Sequence, residues 1–506
     1  MPTTYRILQT LPLAWRLGRP AVLTLAFAGS IMGCSMDRLL QAGRLPADVR
    51  DPNAFRTREG AFGTYNQALV AFTQAVGGAG GLSGSRTMSH ANASGLLTDE
   101  IQYIVAATAA YPVNAASYVD NRSVPEDDMS AAGLTLSGNI HDPFIKLNDA
   151  RIAAREAANS LAKYAPDAPA ALRGHAYALE AFAQVLLAEL YCSGIPLTTL
   201  DFETGFTPTR GFSTEEVLRK SLRLLDTALA LSADSARISH LVNVVRGRTY
   251  LNLGLYDSAA IAASSVPIDF TYTLRYIGAS LQQYFTFAPR GASLNAWDVR
   301  TMGDRKGGNG LPYVSSGDPR TRARRMSSTV TFPQKFDGVG AGVLIVASGV
   351  EAQLIIAEAE LAKGNVGTFL DILNALRTTG TFATQPQPGN PTAVDTTWDV
   401  GSGAALFVGH TPALAGLRLL TDPGIPAERV SLLFEERGYW LYLTGHRQGD
   451  LRRLVRQYKR REDQVYPTGR WGPLALTSYG TDVNLPVPAQ EQLTNTLYTG
   501  CINRDA

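Results

Sequence analysis

A spacing of small residues and glycines near the middle of the chain limits its fold more than any other feature. In RGRTYLNLGLYDSAA, Gly247, Tyr250, Gly254, Tyr256 and Ala259 hold the spacing of a tetratricopeptide unit. Such a unit is a pair of packed helices with a period of about 34 residues. Ala357, Glu360, Gly364, Val366 and Phe369 repeat the spacing. The reason is packing: a small residue lets the first helix approach its partner, and the glycine closes the tight turn between them. Helical stretches also lie upstream. Thr57 to Val76 puts Phe62, Tyr65, Leu69 and Phe72 on one face. Asp142 to Tyr164 carries Phe144, Leu147, Ile152 and Leu161, and Ala170 to Cys192 is alanine-rich until Gly194 and Pro196 stop it. Ser213 to Leu231 opens with Ser213 and Glu216, the spacing of a capping box. The expected fold is mostly α: tetratricopeptide-like helical hairpins stacked as an α-solenoid core, with long irregular insertions.

Two long insertions lack helical periodicity, about Pro267–Ala347 and Thr378–Pro426. Loops this long in a compact domain are functional or disordered. The first is rich in rings, with Phe270, Tyr272, Tyr276, Tyr284, Phe285, Phe287, Trp297 and Tyr313, and holds Asn295, Asp298, Arg300, Asp304 and Arg305 among them. The second has Trp398. The Arg320, Arg322, Arg324 and Arg325 cluster follows Asp318-Pro319 and reads as a solvated or ion-paired turn.

Residues 1–33 read as a lipoprotein signal peptide. Arg6, Arg16 and Arg19 form its basic region, Ala21 to Ala28 its apolar run, and Ile31-Met32-Gly33-Cys34 its cleavage box. That run is far short of the roughly 20 residues needed to span a bilayer. Cys34 is the expected lipid acceptor, 34–56 a tether and 57–506 the folded domain. Removing three arginines and no acid takes the formal charge from +2 to −1, which gives no electrostatic case for nucleic acid. Cys192 and Cys501 remain. In an oxidising compartment they could pair; otherwise Cys192 is a small buried hydrophobe and Cys501 a free tail thiol. The six histidines, His90, His141, His175, His240, His410 and His446, include no pair at helical metal-ligand spacing. No phosphate loop or nucleophile elbow is present. No cofactor or metal is expected.

Near the C-terminus, Arg429 to Tyr458 runs without proline behind Pro426 and Glu428, and reads as one helix. Trp440, Leu443, Arg447, Leu451, Leu454 and Tyr458 then share a face, and Arg447 on that stripe needs a partner, for which Asp450 is near. The run ERGYWLYLTGHRQGDLRR resembles the C-terminal signature of SusD/RagB-like proteins, through Glu436, Arg437, Gly445, His446, Arg447, Asp450, Leu451 and Arg453. Thr444 and Gln448 depart from the usual glutamate and aromatic. The segments SGLLTDE (Ser94–Glu100), YCSGIPLT, EAQLIIAEAEL and YGTDVNLPVP are also similar to family phrases, so the resemblance touches most of residues 57–490. The resemblance implies four tetratricopeptide-like helix pairs and a surface lipoprotein that captures nutrients, often glycans. It would act beside a SusC-like TonB-dependent β-barrel transporter, facing outward from the outer membrane. The signature residues Glu436, Arg437, Arg447, Asp450 and Arg453 are expected to be structural.

Sugars present an apolar face rimmed by hydroxyls, which rings and directed polar groups can match. A dissociation constant of about 10 μM to 1 mM, roughly 4–7 kcal/mol, needs only one or two stacked rings and several hydrogen bonds. Trp297 is the first platform candidate, then Tyr284 and Tyr313, with Asn295 and Asp298 as polar partners and Arg86 and Asn92 as further contacts. The competing reading is that these rings pack the insertion onto the helices. The expected function is therefore capture of an oligosaccharide or other nutrient, without catalysis. A tetratricopeptide scaffold lipoprotein for envelope assembly and a surface glycosidase are the alternatives.

Overall fold

The helices begin where side chains can satisfy free backbone N–H groups. Thr57 Oγ1 accepts the Gly60 N–H at 3.0 Å and opens α1, Arg58–Gly77. Ser213 and Glu216 close a reciprocal capping box on α5, Thr214–Leu231. Such a cap is worth about 1 kcal/mol. The computed structural model describes residues 56–78, 88–104, 115–125, 140–201, 205–276, 299–321, 323–325, 331–333, 342–379, 395–397, 406–408, 417–471 and 478–506. All belong to one unit, Phe55–Ala506. The remaining main helices are α2 (His90–Leu97), α3 (Asp142–Tyr164), α4 (Ala170–Leu190), α6 (Ala236–Asn252), α7 (Tyr256–Ala263), α8 (Gly349–Ala362), α9 (Val366–Thr379), α10 (Pro426–Trp440) and α11 (Arg447–Arg456).

Neighbours in sequence pack as hairpins: α3 on α4, α4 on α5, α6 on α7 and α8 on α9, with α1 laid against α3. The two repeat units predicted from spacing are α6–α7 and α8–α9. Gly254 and Gly364 turn them with φ of +72° and +82°, a conformation open to glycine at little cost. A Cβ on Gly247 would lie 3.1 Å from Ile355 Cδ1, so the small residue is what lets α8 approach. Ala357 and Phe369 are fully buried in the same cluster. No helix among the described residues is long and apolar enough to cross a membrane.

The C-terminal stretch is not the single helix expected. It breaks between α10 and α11, where Leu443 and Gly445 take φ of +54° and +80°. The break has a cause. Glu100 Oε1 accepts the Leu443 N–H at 2.7 Å, and Tyr442 donates its hydroxyl to Glu100 O at 3.1 Å. The His90 ring fills the place of a Cβ on Gly445, with Nδ1 2.9 Å from it. Trp440 and Arg447 therefore sit on different helices rather than on one stripe. Arg447 also takes a different partner from Asp450. Its guanidinium grips Asp99 at 2.7 and 2.8 Å, across 348 residues of sequence.

Cys192 and Cys501 are joined, with their Cα atoms 5.9 Å apart. The bond fastens the end of the chain just beyond α4. The first insertion leaves and returns side by side: Thr271–Tyr276 pairs antiparallel with Gly342–Ser348, Tyr276 opposite Gly342 and Thr271 opposite Ser348. Its first rings belong to the core. Phe270, Tyr272 and Tyr276 are buried, and Tyr276 donates to Thr73 O at 2.7 Å while its ring occupies the space beside Gly77. Tyr284, Phe285, Phe287 and Trp398 lie outside the described residues.

Candidate functional site

The first insertion, where the sequence places all the ligand candidates but Arg86 and Asn92, is rooted on a short ladder. Ile101–Ile104 pairs antiparallel with Val299–Met302, Ile104 opposite Val299 and Ile101 opposite Met302. Thr301 Oγ1 accepts the Thr331 N–H at 2.9 Å and donates to Thr331 O at 3.2 Å, bringing Thr331–Pro333 alongside. Ala323–Arg325 pairs with that strand in turn. Asp298 immediately precedes Val299 in the sequence, and Val299 lies opposite Ile104. Trp297, Asn295, Asp298, Tyr284, Arg86 and Cys34 themselves lie outside the described residues.

Tyr313 and Asn92 have different positions from those expected of ligand contacts. Tyr313 is 0% exposed, its ring tilted by 38° against that of Tyr442 with centroids 4.5 Å apart, and edge-on to Tyr439. It offers no face to a sugar; here the competing reading of ring as packing wins. Asn92 is 1% exposed, inside α2, where its N–H meets the Ser89 cap.

The root is held by the SGLLTDE segment, which is buried. Asp99 binds Arg447 and also accepts the Leu311 N–H at 2.9 Å. Glu100 O accepts the Gly303 N–H at 2.8 Å while its carboxylate holds the corner at Leu443. Lys306 is buried, its Nζ 2.8 Å from Asp120 Oδ1 and donating to the carbonyls of Leu96, Thr98 and Ile101. One short segment thus joins α2, the signature corner and the insertion. Sequence reasoning missed Lys306; its signal was a lone lysine in the glycine-dense run MGDRKGGNG.

The signature residues form a buried ionic network. Arg437 binds Asp450 through two bonds of 2.9 and 2.8 Å, and Arg453 binds Asp450 at 2.8 Å and also reaches Glu358. Glu436 takes Arg320 at 2.9 Å and is also paired with Arg377. Arg320, buried and paired with Asp318 as well, is an ion-paired turn and not an anion site; Arg322 lies outside the described residues. Arg452 Nη1 donates to the carbonyls of Ala188, Glu189 and Tyr191, capping the C-terminus of α4. Among the described residues no group of His, Cys, Asp and Glu is placed to hold a metal.

Burial shifts several groups that titrate near neutrality. It draws His90 down to about 3, aided by Arg248 and His446, and His175 down to about 4, aided by Arg237. His175 is held between Tyr65 and Tyr272 hydroxyls, both at 2.7 Å. Burial pushes Asp142 up to about 6. The histidines stay neutral in the fold and take protons when unfolded, so their stabilisation is present above about pH 6.5 and is lost as pH falls. Asp142 acts oppositely, being protonated in the fold from about pH 6 down. Burial also raises Asp120 and Glu435, so three carboxylates oppose the two histidines in the mildly acid range. Asp99, Asp450 and Glu436, held below the ordinary carboxylate range by neighbouring arginines against the opposing effect of burial, contribute stability that is lost as pH falls through and below about 4. Urea midpoints should fall steadily below about pH 4; a flat profile there contradicts the assignment.

No family model matches the sequence, and no curated protein matches it. Solved structures do match the fold. A laminarin-binding SusD-like protein is 14% identical, covers 88% of this chain and 99% of its own, and superposes with a TM-score of 0.56. A SusD superfamily protein from Bacteroides thetaiotaomicron is 13% identical over the same shares, also at 0.56. One from Bacteroides fragilis is 15% identical, again covering 88% and 99% at 0.56. The helical hairpins, the inserted root and the signature corner together make this a chain with the SusD-like fold.

Proposed function

We propose that the protein is a surface-exposed, lipid-anchored nutrient-binding protein, with a glycan as its cargo, that works with a SusC-like TonB-dependent outer-membrane transporter in uptake. It grips cargo and passes it to the barrel without covalent chemistry. The observation that carries the reading is a fold shared over 88% of the chain with a protein described as laminarin-binding. The Cys192–Cys501 bond suits an oxidising compartment, and Cys34 stands where a lipid acceptor must stand. The first insertion, mounted on the ladder at Val299, carries the cargo contacts, with Trp297 as platform and Tyr284, Asn295, Asp298 and Arg86 around it.

The test has two readouts on one preparation. The intact lipoprotein extracted in mild detergent is expected to bring a large β-barrel with it. On a glycan array that includes laminarin it is expected to bind, and Trp297→Ala to weaken binding about tenfold, the worth of one stacked ring. An isolate without a barrel removes the uptake role. Unchanged binding by Trp297→Ala removes the platform, and no binding to any glycan removes the cargo class.

A further inference from the structure

Lys306 sits in a cage built for a cation. Four oxygens surround its Nζ: Asp120 Oδ1 at 2.8 Å and the carbonyls of Thr98 at 2.6 Å, Ile101 at 3.0 Å and Leu96. An ammonium has three hydrogens, so the oxygens outnumber the protons it can offer. The arrangement is that of a dehydrated monovalent ion, whose shell is replaced by carbonyls. The lining is fixed independently of the lysine. Leu96 O belongs to the unpaired carbonyls at the end of α2. Asp120 is held from its other side by Trp471 Nε1 at 2.5 Å. The turn around the stem leaves no space: a Cβ on Gly303, Gly307 or Gly310 would fall within 3 Å of backbone or of Asp99. The Tyr479 ring stands 6.0 Å from Nζ.

We propose that this cage is a monovalent-cation site occupied by a covalently tethered cation, the Lys306 ammonium, and that the same site takes ammonium, methylammonium or potassium once the tether is removed. Tethering makes occupancy independent of the surrounding salt. It ties the root of the insertion to α2 without need of a free ion, whatever cargo the insertion holds.

The test is the full chain carrying Lys306→Ala, compared with Lys306→Met, which keeps the apolar stem and fills the space. Thermal midpoints are read in sodium, potassium, ammonium, methylammonium and tetramethylammonium chlorides at equal ionic strength. The alanine variant is expected to lose stability in sodium and to recover at least half of that loss in ammonium, methylammonium or potassium, with no recovery in tetramethylammonium. Amide exchange in Leu96–Ile101 and Val299–Leu311 should slow with the same ions. The methionine variant and the unaltered protein should respond to none. Equal response of all three proteins, recovery in every salt alike, or an alanine variant that folds in none of them overturns the proposal.

Discussion

Replacing Arg447 with methionine should cost about 3–5 kcal/mol, the usual loss when one partner of a buried ion pair is removed. Both Arg447 and Asp99 are buried, and their two bonds are 2.7 and 2.8 Å. Methionine fills most of the volume, so the loss measures the stranded carboxylate more than a void. Arg447 also donates to Phe434 O at 3.1 Å, which frees one carbonyl of α10 as well. Asp99 would keep only the Leu311 N–H as a polar contact from the insertion. Adding Asp99→Asn to Arg447→Met should return part of the stability, because the buried charge is gone. Urea unfolding of the four proteins closes the double-mutant cycle. A loss below about 1 kcal/mol for Arg447→Met would mean that the pair does not hold the corner against α2.

Opening the Cys192–Cys501 bond should cost about 2–5 kcal/mol. The cysteines are 309 residues apart, so the bond closes a loop that spans most of the folded unit. Other contacts also hold the tail: Ile502 N–H to Ser193 O at 2.7 Å, and Asn484 Nδ2 to the carbonyls of Arg504 and Asp505 at 2.8 and 2.9 Å. These keep the native position after reduction, so the effect falls mainly on the freedom of the unfolded chain. Reductant should lower the denaturant midpoint of the unaltered protein to that of the Cys192→Ser, Cys501→Ser double variant, and leave the double variant unmoved. Coincident midpoints with and without reductant in the unaltered protein would remove the bond from the stability of the fold.

The hairpins were legible because their causes are local. Caps at Thr57 and Ser213, turns at Gly254 and Gly364 and the small residue at Gly247 act within a few residues of themselves. The corner at Leu443–Gly445 was not legible, because the groups that break the helix, Glu100 and His90, lie more than 300 residues away in sequence. Helix periodicity continued through the corner and suggested Asp450 for Arg447, while the fold gave Asp450 to Arg437 and Arg453. Tyr313 failed as a platform for a related reason. Aromatic density in an insertion does not distinguish a ring facing outward from one that roofs the core, and Tyr313 covers Tyr439 and Tyr442. The family-like SGLLTDE segment was visible, but its role as the junction of three elements depends on partners that only the fold brings near.

The antiparallel pairing of Thr271–Tyr276 with Gly342–Ser348 means that the chain departs from the helical frame and rejoins it at neighbouring points. Changing the length of such an excursion alters closure entropy only slowly, by about 0.6 kcal/mol per doubling. Selection can therefore rewrite the excursion while the frame beneath keeps its sequence demands. Descendants of one ancestral scaffold can then differ in the excursion long before they differ in the frame.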